Sequence, residues 1–118
     1  MESILTSIKK LLGPYENDTN FDTDIIIGIN TALSILTQIG VGPVNGFSIS
    51  DKESIWTDFI PDMSKIEMVK SYVHLKVKLL FDPPSSSATI DMIKQQISEL
   101  EWRISVLVDP GEEVTSNA

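Results

Sequence analysis

The chain has 118 residues, room for one domain, and 42% of them are hydrophobic, which supplies a core and excludes global disorder. It contains no cysteine, which excludes disulfides, thiolate metal sites and cysteine nucleophiles. Nine basic and seventeen acidic residues leave a formal charge of −8. That balance argues against a broad grip on nucleic acid, because phosphate neutralisation needs clustered Lys and Arg, and only Lys9 and Lys10 adjoin.

Residues 1–12 are predicted to form a short amphipathic helix, with Ile4, Leu5, Ile8, Leu11 and Leu12 at helical spacing and Gly13-Pro14 as the stop. This segment lacks signal-peptide organisation: Lys9-Lys10 follow the apolar residues, and no small-residue cleavage site is present. The polar stretch 15–20 reads as turns. A second helix is expected from a cap at Asp22 or Thr23 through Ile25, Ile26, Ile29, Ala32, Leu33, Leu36 and Ile39 to Gly40. The run Ile25-Ile26-Ile27 is β-branched, but the later spacing favours a helix.

Residues 41–51 read as a loop with a short extended piece at Phe47 to Ile49. Ser50 or Asp51 then caps a third helix over Lys52 to Phe59, ended by Pro61. The fourth helix is placed at 64–81, with Ile66, Val69, Tyr72, Val73, Val77 and Leu80 on one face. Asp82-Pro83-Pro84 is a hard stop, because proline cannot continue the hydrogen-bond ladder. Ser85-Ser86-Ser87 supplies caps for a fifth helix at 88–108. Its apolar positions Ile90, Ile93, Ile97, Leu100, Ile104 and Leu107 follow a heptad-like seam, flanked by the i,i+4 pair Glu99 and Arg103.

The expected fold is therefore all-α: about five helices, the last two forming a long antiparallel hairpin across the Pro-Pro turn. Residues 1–108 form the helical domain, and 109–118 are a flexible acidic tail. No segment approaches the roughly 20 apolar residues of a membrane span.

Catalytic chemistry finds no motif. His74 is the single histidine, sits between Val73 and Leu75 with no serine elbow nearby, and reads as a packing or surface residue. Asp18, Asp22 and Asp24 lack the glycine and glutamate spacing of a calcium loop and read as helix caps. Gly40-Val41-Gly42-Pro43 follows a helix and so fails the strand-to-helix context of a phosphate loop. No catalytic, metal or cofactor residue is assigned. The candidate interface residues are Trp56, Phe59, Tyr72 and Trp102, large aromatic groups of the kind that anchor protein contacts.

The segment from Val69 through Phe81 to Pro84 resembles a recurrent pattern in small proteins of tailed phages and prophages. Ile97-Ser98-Glu99-Leu100-Glu101-Trp102-Arg103, Ile39-Gly40-Val41-Gly42-Pro43 and Trp56-Thr57-Asp58-Phe59 are similar to the same group. Together these pieces span most of the chain and resemble the head–tail connector, or adaptor, proteins. The resemblance implies a structural virion protein without catalytic residues, assembled in the host bacterial cytoplasm. It implies a ring of roughly twelve copies beneath the portal protein. Phage DNA would pass through its channel without sequence-specific binding, and the far side would dock a stopper, a tail terminator or the next connector. The alternative is a soluble helical regulator that binds another protein and is absent from the particle.

Overall fold

The computed structural model describes residues 2–108. They form five α-helices: α1 (Ile4–Leu12), α2 (Asp22–Ile39), α3 (Trp56–Phe59), α4 (Ile66–Phe81) and α5 (Ser87–Val108). The expected acidic tail, 109–118, lies outside the described residues.

The helix ends follow local chemistry. The Ser3 side chain accepts the Thr6 N–H at 3.0 Å and starts α1, while Gly13, at φ 93°, ends it. α2 ends in a Schellman motif: Gly40 adopts the left-handed conformation, its N–H reaches Thr37 O, and the Val41 N–H reaches Leu36 O. At the other end of α2 the expected acidic cap is absent. Phe21 holds the capping position, and Asp22 is already helical. The Asp22 carboxylate instead meets Lys9 Nζ at 2.7 Å, tying α2 to the buried side of α1.

α4 is the central strut. It packs against α2, α5 and α1, and its contact with α2 is the most extensive in the molecule. Gly28 of α2 lies over Val77 of α4, and Asp24 lies beside Leu80 and Phe81, so these two helices run antiparallel. Val69 of α4 lies near Ile104 and Leu107 of α5, whereas Leu75 lies near Gln96 and Leu100. The α4–α5 pair is thus the expected antiparallel hairpin across the proline turn. The hairpin is nevertheless not the principal pairing of α4. The long apolar face of α2 covers more of it, as its buried residues Ile25, Ile29, Ala32, Leu33 and Leu36 attest. The thinnest dimension is 21 Å, about two helix diameters, so the helices form two layers.

Two boundaries differ from expectation. The third helix begins at Trp56, four residues late, because residues 52–55 are used otherwise. Asp51 accepts the Glu53 N–H in a turn, Ser54 O accepts the Ile4 N–H at 2.8 Å, and Ile55 pairs with Ser3 in an isolated bridge. Asp58 then accepts the Ile55 N–H and caps the single turn that remains. α4 is preceded by a 3₁₀ turn, Met63–Lys65, whose start is capped by Asp62.

The loop after α2 is firmly held although it forms no strand. Asn30, in the middle of α2, donates to Ile49 O at 2.9 Å and accepts the Ile49 N–H at 2.8 Å, satisfying both backbone groups of one loop residue. Val41 and Ile49 are buried as anchors. Gly42, at φ 84°, lies so close to the Phe59 ring that an added Cβ would fall 2.5 Å from it. Between these anchors Val44 stands at the loop tip, exposed to solvent.

Candidate assembly surfaces

The four aromatic residues singled out by sequence are not brought together. Trp56, Phe59 and Tyr72 are buried within the chain's own core, and Trp102 is 65% exposed. Trp56 is 1% exposed because the one-turn helix α3 drives it under α1. Its indole N–H donates to Ser7 Oγ at 3.1 Å, and Ser7 Oγ donates in turn to Ser3 O at 2.8 Å, so the buried polar atoms are satisfied. Phe59 packs against Phe47, their ring centroids 5.5 Å apart. The Tyr72 hydroxyl crosses from α4 to donate to Glu101 of α5 at 2.7 Å. Burial, reinforced by that carboxylate, raises its pKa. Trp56, Phe59 and Tyr72 thus lie in the subunit interior, and of the four Trp102 alone faces outward.

The exposure of Trp102 follows from helix geometry. Ile93, Ile97 and Ile104 bury one side of α5. At about 100° per residue Trp102 points roughly the opposite way. Val106, one turn further on, is also exposed. Beside them Arg103 contacts Glu99 Oε2 through Nε at 2.8 Å and Nη2 at 2.7 Å.

A second apolar surface lies where α2 crosses the end of α4. Ile27 and Leu80, 60% and 54% exposed, line a groove with Gly28, Thr31, Phe81 and Asp24. Leu80 continues the buried stripe of α4 past the point where its neighbours cover it. Tyr15, Phe21 and Phe81 form an edge-to-face cluster alongside, with centroids 4.9 to 5.8 Å apart. Sequence reasoning did not single out this surface, although a signal existed. Three successive isoleucines on a helix spread over about 200°, so one of Ile25, Ile26 and Ile27 must turn away from the core.

The groove between α4 and α5 is lined by Ser71, His74, Leu75, Gln96, Glu99, Leu100 and Arg103. His74 is half-buried there, and burial, helped by the Lys78 charge, lowers its pKa. Ser71 and His74 share the groove, but no hydrogen bond joins them and no carboxylate orients the imidazole among the described residues. No acidic or histidine cluster suited to a metal is present among those residues. The chemistry available at these surfaces is that of protein contact: exposed apolar groups framed by charges. Among the described residues, no helix is long and apolar enough to cross a membrane.

Comparison with protein families places this geometry. The profile of a family described as phage connector protein matches residues 4–111, nearly the whole chain and all five helices. The chain belongs to the phage connector protein family. The resemblance carried by the α4 and α5 segments is thereby established, and with it a structural connector role in contact with other head and tail proteins of a phage. Comparison with curated proteins and with solved structures gives no match. Within this connector, Trp102, with Met92 and Val106 also exposed on α5, and the Ile27–Leu80 groove are among the apolar features that the subunit leaves uncovered.

Proposed function

We propose that this connector forms a ring of roughly twelve copies beneath the portal protein at the head–tail junction, built up in the host bacterial cytoplasm. In this reading the ring extends the DNA channel and docks a stopper, a tail terminator or a further connector on its far side. The observation that carries the reading is the pair of unlike apolar surfaces on the two helices that flank α4. A ring joins head to tail, so each subunit needs two different complementary faces, whereas a two-fold dimer needs one face used twice. The charge of −8 supports the channel, since DNA slides past a wall that does not bind its phosphates.

The test is made on particles. Stoichiometric incorporation into purified virions is expected by mass spectrometry, with density between portal and tail by electron microscopy. Particles assembled without the protein should lose their genome or fail to acquire tails. Normal tailed particles lacking the chain would overturn the assignment and favour a soluble regulator that binds another protein.

A further inference from the structure

Trp102 and the α2–α4 groove differ in shape as well as in place. Trp102 projects from α5, whereas the groove is a concavity of ≈ 360 Å³ with room for an indole. Gly28 and Thr31 line it on the α2 side, and Phe81 on the α4 side. Ile27 and Leu80 make its walls apolar, and Asp24 stands at its rim. The Asp24 carboxylate makes no ion pair among the described residues. Next to Trp102, Arg103 spends Nε and Nη2 on Glu99 and keeps Nη1 without a partner among the described residues. A guanidinium has five donors and can serve two carboxylates at once.

We infer that Trp102 of one subunit inserts into the α2–α4 groove of a second copy, with Arg103 of the first meeting Asp24 of the second. The pairing is complementary in shape and in charge, and it is heterologous. Repeated around a closed ring, it fills every groove and covers every tryptophan. A two-fold dimer built on the α5 faces would bury tryptophan against tryptophan and leave the groove empty. The inference rests on the ring reading above and names the contact within it.

The native chain has no cysteine, so engineered thiols report without background. Thr31 lines the groove, and Val106 lies one turn beyond Trp102. A chain carrying both Thr31→Cys and Val106→Cys is to be oxidised as purified protein and within assembled particles. A ladder of linked dimers, trimers and larger species is expected, with neither single variant linking to itself. Efficient dimers of Val106→Cys alone would overturn the inference in favour of a two-fold contact. Rings without a ladder would overturn the contact and leave the ring intact, whereas absence of the chain from particles would overturn both. Charge reversal gives a second readout in variants that keep the core. Asp24→Arg and Arg103→Asp should each raise the concentration for half-assembly about tenfold or more, and their combination should restore it. Wild-type assembly by both single variants would refute the pairing.

Discussion

The two helices of the C-terminal hairpin have similar apolar periodicity and different fates. α4 has 16 residues and buries five of them against helices on several sides; α5 has 22 and buries only Ile93, Ile97 and Ile104. The difference lies in position. α4 is enclosed by α1, α2 and α5, while α5 meets α4 and, less extensively, α2. The two tryptophans mark the same contrast. Trp56 closes the interior between α1 and α3 and has its indole N–H satisfied there; Trp102 stands on the open side of α5. Periodicity therefore identifies a face that prefers burial, and the number of neighbours decides how much of the helix is covered.

The contrast breaks most directly by truncating both tryptophans. Trp56→Ala should lower unfolding stability by about 3–5 kcal/mol, the range for a large buried aromatic, in urea or thermal denaturation. Trp102→Ala should leave the subunit within about 0.5 kcal/mol of wild type, as for an exposed position, and act on assembly instead. Equal losses would mean that the two sites do not differ as described. Next in size, Asn30→Ala leaves both backbone groups of Ile49 without their side-chain partner and should cost about 1–3 kcal/mol. Hydrogen exchange should then rise in the loop around Ile49 before it rises in α4.

Gly28→Ala is expected to have the opposite sign. Its Cβ would meet Val77 at 3.5 Å, an ordinary contact, and the backbone there is helical. A gain of about 0.4–1 kcal/mol should follow from the lower entropy of the unfolded chain; a melting-temperature comparison checks the sign. The smallest effect concerns His74. Its folded pKa is lowered from 6.5, so the unfolded chain binds the proton more readily. The stability contributed by neutral His74 is fully present above that value and is lost as pH falls through the folded pKa. Denaturation midpoints should decline over this window, and His74→Gln should flatten the decline while leaving the loss at lower pH to which Glu2 and Asp62 contribute, their carboxyl pKa values being lowered by their hydrogen bonds.

Much of the architecture was legible because its signals are local. Gly13, Gly40 and the Pro83-Pro84 pair end helices through backbone conformation alone, and the stripes of α2 and α4 need no knowledge of what covers them. The third helix is shorter than local sequence suggests because residues 52–55, helical in isolation, are drawn into contact with Ser3 and Ile4, about fifty positions away. The start of α2 departs from local expectation for a similar reason, since Asp22 is taken by Lys9 from another helix.

By itself, the order of residues determined an all-helical chain with a proline-turned hairpin, a strongly acidic surface and no thiol chemistry, because each follows from composition or from contacts within a few positions. The tertiary structure alone decided that Trp56, Phe59 and Tyr72 lie inside, that Trp102 lies outside, and that Ile27 and Leu80 frame a groove. Burial depends on which distant segments arrive to exclude water, and helical spacing does not encode that arrival.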